Sequence, residues 1–272
     1  RDDMTPQCRC RQALIIAISE YDHLRSLPGA AKDADAALAC CEDLGFDTVS
    51  VRGSVTLEAL QEGVREFLGK VEASAKEHSN PVALVFIACH GMQRDAEDTL
   101  PRLLPSDSYT DGNGNLACQG LDLGSNLVQG LNRIHPQAPG NLSSILVLDC
   151  CREHRDCYTF RGLSSQTEAS NSLKSLRNDF YFVFACDPGR SAPETASGGG
   201  LLTQAVVSLL PYAVPIQQVL DEAAARARTP FHRPWTLYRP GCKPLVLGRR
   251  TGPLPTPTAS LSLAASESHA RQ

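Results

Sequence analysis

Short, wholly apolar runs alternate along this chain with longer segments whose apolar residues recur at helical spacing. The run from Ala13 to Ile18, inside Arg11–Ser19, is too short for a buried helix and predicts a buried strand. Between residues 30 and 44, Ala31, Ala34, Leu38 and Cys41 share one helical face, and Gly45 stands where a helix ends. Thr48–Val51 predicts a second strand. Leu57–Ala75, with Leu60, Val64, Phe67, Leu68 and Val71 on one stripe, predicts an amphipathic helix. Further strands are expected at Val82–Cys89, Ser144–Leu148 and Tyr181–Ala185. Further helices are expected at Asn126–Ile134, Leu201–Leu209 and Ile216–Arg228.

Apolar rather than alternating strands, separated by helices, imply an α/β fold whose mostly parallel central sheet is flanked by helices on both faces. Such sheets carry their chemistry where the strands end at their carboxyl side. Met92–Leu123 reads as a polar loop with turns at Asp111-Gly112 and Asn113-Gly114, and Arg152–Asp179 as a long polar surface segment. From about Arg249 the chain is rich in Pro, Thr, Ser and Ala and is expected to be a disordered tail. No internal repeat occurs.

Composition narrows the class. The net charge of -4 argues against nucleic-acid or anionic-membrane binding through bulk charge, and no apolar run approaches the ~20 residues of a membrane span. The chain opens on Arg1-Asp2-Asp3, without a signal-like apolar stretch. Eleven cysteines, an odd number with two adjacent pairs, fit reduced thiols in a cytoplasmic protein better than a disulfide framework. Cys8-x-Cys10 lacks the second pair of ligands that a zinc site needs, and no metal is assigned to it.

The strand ends carry the chemistry. Val82–Cys89 runs into His90-Gly91, and Ser144–Leu148 runs into Asp149-Cys150-Cys151-Arg152. Neighbouring strands ending in this way would hold an imidazole and a thiol at one rim, as nucleophilic cysteine chemistry requires. The backbone N–H groups of Gly91 and Cys151 could donate to the oxyanion of acyl transfer. Singly, a histidine or a cysteine after a strand is more often a packed or solvated residue.

Phe86-Ile87-Ala88-Cys89-His90-Gly91 and Leu146-Val147-Leu148-Asp149-Cys150-Cys151-Arg152 resemble the catalytic motifs of caspase-like (clan CD) cysteine peptidases, in particular metacaspases and paracaspases. Leu27-Pro28-Gly29-Ala30-Ala31-Lys32-Asp33 resembles the family's Leu-x-Gly-x-x-x-Asp loop, and Leu104-Pro105-Ser106-Asp107 the Pro-x-Asp after the histidine. Phe184-Ala185-Cys186-Asp187 and Gly198-Gly199-Gly200-Leu201-Leu202-Thr203 are similar to the start of the small subunit. The likeness spans about residues 11 to 248. It implies an N-terminal extension (1–10), a p20-like region (11–157) with His90 and Cys151, a flexible inter-subunit loop (158–179), a p10-like region (180–248) and a tail (249–272).

The resemblance implies a cysteine endopeptidase. The motif register selects Cys151 over Cys150 as nucleophile, with His90 as its partner and no third side chain to orient it. True caspases use an Arg and a Gln to bind Asp; their places here are Leu27 and Asp149. In metacaspases and paracaspases Asp149 and Asp33 would line an acidic first specificity pocket, matched to Arg and then Lys in a protein substrate. Asp187 and Glu194 are weaker candidates for the same pocket. The plainer role for Asp33 is to cap a helix beginning near Ala34. No cofactor is expected. Calcium activation, known in metacaspases, finds only the scattered carboxylates Asp95, Glu97, Asp98, Asp107, Asp111 and Asp122, and Asp111–Asn115 reads better as a turn than as a calcium loop. Paracaspases imply a homodimer, and Arg161, Lys174 and Arg177 offer sites for self-cleavage. The alternative is a catalytically silent dimerisation and signalling module.

Overall fold

The computed structural model describes residues 10–92, 100–109, 120–136, 140–150, 175–187, 192, 198–230 and 232–256. Strand β1 (Arg11–Ile18) leads into helix α1 (Pro28–Asp43), β2 (Asp47–Gly53), α2 (Leu57–Glu77) and β3 (Val82–Cys89). Three two-residue strands follow: β4 (Gly91–Met92), β5 (Arg102–Leu103) and β6 (Leu121–Asp122). A π-helical turn (Gly124–Val128) runs into α3 (Gln129–Arg133), then come β7 (Ser143–Cys150), β8 (Asp179–Phe184), α4 (Leu201–Leu209), α5 (Ile216–Arg226) and β9 (Trp235–Tyr238).

The main sheet has the order β2-β1-β3-β7-β8-β9, parallel throughout except for β9. Its four central strands, β1, β3, β7 and β8, are mostly apolar because both faces are covered. On β1, Leu14, Ile16 and Ile18 enter the core shared with α2 and α3. Ala13, Ile15 and Ala17 enter the opposite core, where Ala30, Ala34 and Ala37 of α1 meet them beside α4 and α5. The α/β architecture inferred from sequence, a mostly parallel sheet covered by helices on both faces, is the one observed.

Local signals account for the helix ends. Pro28 opens α1, where its missing N–H costs nothing, and Gly45 beyond the last turn takes φ 73°, a left-handed conformation that glycine adopts freely. The Thr56 side chain caps α2 by accepting from the Ala59 N–H at 3.2 Å.

Several expectations change. The helix containing Asp33 begins at Pro28, so Asp33 lies in its second turn and cannot be the cap. The supposed loop Met92–Leu123 contributes β4, β5 and β6, an antiparallel sheet too small to leave a periodic signal. Strand β9 was unforeseen; of its four residues only Leu237 is buried, and it is held by pairing with β8 and by Trp235 stacked on Phe184 at 4.3 Å. At the end of the expected inter-subunit loop, Asp179 already belongs to β8, and the buried Asn178 amide donates to the carbonyls of Leu131 and Ile134. The start of the expected tail is tied to the fold though largely exposed: Arg250 N–H donates to the Pro211 carbonyl, and the Arg250 carbonyl accepts from Ala213. Among the described cysteines six form no disulfide, but Cys10 is disulfide-bonded, against the expectation of reduced thiols. No described helix is long and apolar enough to cross a membrane.

Candidate active site

Strands β3 and β7 pair in register from Val82↔Ser143 to Cys89↔Cys150. The next residues in the chain are His90 and Cys151. Cys151 itself lies outside the described residues, as do Glu194, Asp95, Glu97, Asp98, Asp111, Arg161 and Lys174.

His90 is held by main chain and by one aromatic residue. Its backbone N–H donates to the Tyr21 hydroxyl at 2.9 Å, and that hydroxyl in turn donates to the Leu104 carbonyl at 3.3 Å. The Tyr21 and His90 rings meet edge to face, with centroids 4.6 Å apart. The His90 Nε2 lies 2.7 Å from the Arg25 carbonyl oxygen. A carbonyl only accepts, so Nε2 carries the proton and Nδ1 is left as the basic nitrogen of the neutral ring. A third orienting group therefore exists. Sequence inspection missed it because any residue's carbonyl could fill the role.

Gly91 faces Leu103 across the antiparallel β4–β5 pair. The flanking bond from Leu104 N–H to the His90 carbonyl, at 3.0 Å, makes Gly91↔Leu103 a non-hydrogen-bonded pair. The Gly91 N–H thus points away from β5.

The two aspartates inferred from sequence come together. Asp33 is 5% exposed, and both its oxygens accept from the Gly200 N–H, at 3.0 and 2.8 Å. Asp149, next to last in β7 and 7% exposed, accepts at Oδ2 from the Thr203 N–H and hydroxyl, each at 2.9 Å. Gly200 is the N-cap of α4 and has no side chain to satisfy the first helical N–H groups; Asp149 reaches in from β7 to serve one of them. The positive end of the helix favours both negative charges. The approach is close: a Cβ on Gly200 would lie 1.9 Å from Asp149 Oδ2. Gly198, at φ 72°, makes the turn that delivers this segment.

Asp187 follows β8 and is partly exposed; no described hydrogen bond links it to Asp33 or Asp149. Thr203 was missed in the sequence, where it stands out only as a motif position. The gap beside Asp33 and Thr203 has no room for a water molecule. A cavity of about 560 Å³ lies away from these residues, between α5 and the C-terminal segment, lined by Gln217, Asp221, Pro244 and Leu254 among others. It is open and shares no residue with the candidate site. Among the described residues no three His, Cys, Asp or Glu side chains converge as a metal site.

A family model described as the caspase domain matches residues 10–236. The chain belongs to the caspase-domain family. Among solved structures, this caspase-domain chain resembles caspase-1 from Spodoptera frugiperda, with a TM-score of 0.56 and 17% identity over 89% of this chain and 91% of that one. At that identity the likeness is one of fold. No curated protein matches the chain.

Proposed function

We propose that this caspase-domain protein is a cysteine endopeptidase that cleaves protein substrates after Arg, and less well after Lys, through a Cys151–His90 dyad. The observation that carries the specificity is the pair of buried carboxylates, Asp33 and Asp149, converging on either side of Gly200 at the start of α4. A true caspase needs a cationic pocket for Asp. Two carboxylates repel an acidic side chain and favour a guanidinium, which meets carboxylates bidentately in a way an ammonium cannot. A carboxylate has room for about four hydrogen bonds, so holding α4 leaves acceptor capacity for a ligand.

The dyad is supported by Cys89 and Cys150 being partners on adjacent strands, with His90 and Cys151 the next residues in the chain. In the neutral ring Nδ1 accepts the thiol proton, and the thiolate attacks the scissile carbonyl carbon. The Gly91 and Cys151 N–H groups stabilise the oxyanion. The imidazolium then protonates the leaving amine, and water, deprotonated by the same nitrogen, hydrolyses the thioester. No cofactor takes part. A free thiolate suits a reducing cytoplasm, and paracaspase kinship would make a homodimer the working assembly.

The test is hydrolysis of fluorogenic peptides ending in Arg, Lys or Asp, with and without calcium, and with Cys151→Ala as control. Arg turnover, with Lys below it, Asp silent, and all activity lost in Cys151→Ala, is expected. A folded, concentrated sample inactive on all three would favour the silent signalling module.

A further inference from the structure

The loop from Ser19 to Leu27, between β1 and α1, touches His90 twice: Tyr21 takes its backbone N–H and packs against its ring, and the Arg25 carbonyl takes Nε2–H. The loop closes on itself through Leu27 N–H to the Ser19 carbonyl at 2.8 Å. Its start is tied to β2 by the Ser19 and Glu20 N–H groups, which donate to the Gly53 carbonyl at 3.2 and 3.4 Å, and around Tyr21 it is held by Ser106. The Ser106 hydroxyl donates to the Glu20 carbonyl and accepts from the Val55 N–H, both at 2.6 Å. The Ser106 backbone N–H donates to the Val55 carbonyl at 2.7 Å, and its carbonyl accepts from the Asp22 N–H at 3.0 Å. Both chain neighbours of Tyr21 are therefore fixed to Ser106.

Few side chains can fill this position. The group must donate to one backbone and accept from another within the volume of a hydroxymethyl, which a serine hydroxyl does and an apolar side chain of similar size does not. Ser106 is 2% exposed, so water has little access to replace a lost bond. In Pro105-Ser106-Asp107 the first two residues are buried, while Asp107 is exposed.

We propose that Ser106 is a positioning residue for His90: through the β1–α1 loop it holds the Arg25 carbonyl on Nε2, and so keeps Nδ1 as the nitrogen that serves the nucleophile, a role that rests on the peptidase reading above. The imidazole tautomer is the direct readout, since a merely structural serine would not change it. Nitrogen NMR of the histidine rings, with the His90 signals identified by their loss in His90→Gln, is expected to give the Nε2–H form in the wild-type protein. Ser106→Ala is expected to mix the two tautomers and to lower kcat on an Arg peptide roughly tenfold, with KM held within about twofold, because small misplacements of a reacting group are costly. Ser106→Thr, which keeps the hydroxyl, should restore both. A wild-type His90 in the Nδ1–H form overturns the assignment. So does a folded Ser106→Ala protein that melts lower but keeps the wild-type tautomer. If Ser106→Ala does not fold, Ser106→Cys, of similar shape and a poor hydrogen-bonding partner, is judged by the same criteria. The tautomer is read without substrate, so a shifted tautomer in a protein with no Arg-peptide turnover sinks the peptidase reading and leaves the positioning role standing.

Discussion

Two clusters flank the carboxyl ends of β3 and β7, and they are built on opposite plans. Around His90, one functional side chain is held by neutral groups: a phenol, two carbonyls and, behind them, a serine hydroxyl. Around Gly200, two functional carboxylates do the holding, since Asp33 and Asp149 anchor the first turn of α4. The first cluster can be weakened without touching a reacting group. The second cannot, because each carboxylate is at once the proposed substrate contact and the anchor of a helix. Removing one should therefore damage affinity and stability together, whereas loosening the His90 cradle should lower turnover and leave affinity unchanged.

Gly200→Ala tests the close approach most severely. Its methyl would overlap the Asp149 carboxylate, which must move, so α4 loses its cap and the pocket its shape. Arg-peptide kcat/KM should fall by roughly a hundredfold or more, with stability down by about 1–3 kcal/mol, the cost of leaving buried donors unsatisfied. An active, stable Gly200→Ala enzyme would break the claim of a shared role. Asp149→Asn separates the two duties: the amide oxygen can still accept from Thr203 while the charge is gone. Arg-peptide kcat/KM is expected to drop roughly a hundredfold, the scale of losing one partner of a desolvated charge pair, with a smaller change in Tm. A large Tm loss with unchanged Arg preference would reduce Asp149 to a capping group.

Tyr21→Phe probes the other cluster. The ring stays against His90 but the backbone N–H loses its acceptor, so kcat should fall about threefold to tenfold with KM unchanged. A change in KM instead would place Tyr21 among substrate contacts. Thr203→Val, losing one hydroxyl bond to Asp149 while keeping the N–H, should cost about 1–2 kcal/mol, a few degrees in Tm by thermal melting.

The smallest effect concerns cysteines far from both clusters. Burial pushes the Cys40 thiol up from 9.0 to about 12, with the neighbouring Asp43 charge adding to it. The folded state thus keeps a proton that the unfolded chain releases above pH 9. The resulting stability is complete below pH 9 and is lost as pH rises from 9 towards 12. Cys40→Ala should flatten that alkaline decline in a pH series of melts, and Cys40 should resist alkylation at pH 8 until the protein unfolds.

Much of this was legible in order along the chain. Apolar runs such as Ala13–Ile18 and Val82–Cys89 can only be strands buried on both faces, and the stripe from Leu60 to Val71 can only be a helix lying on them. That pattern fixes which residues stand at strand ends, and so His90, Asp149 and Cys151 were visible as chemistry. Short-range pairing was not legible: β4, β5 and β6 have two residues each, and β9 is mostly uncovered, so neither leaves a periodic signal. Nor was Asp33's position, because its helix starts at Pro28 and turns the carboxylate inward towards Gly200 instead of along its own axis.

Sequence alone thus determined the α/β class, the mostly parallel sheet and the identity of the polar residues that follow the strands, because burial is written in residue type and spacing. Only the tertiary structure decided how those residues are held. The Arg25 carbonyl on His90, the Ser106 hydroxyl behind it and the Asp149 cap on α4 are contacts between segments 54 to 86 residues apart. Each of the three has a backbone group as one partner, so no pattern of side chains could have announced them.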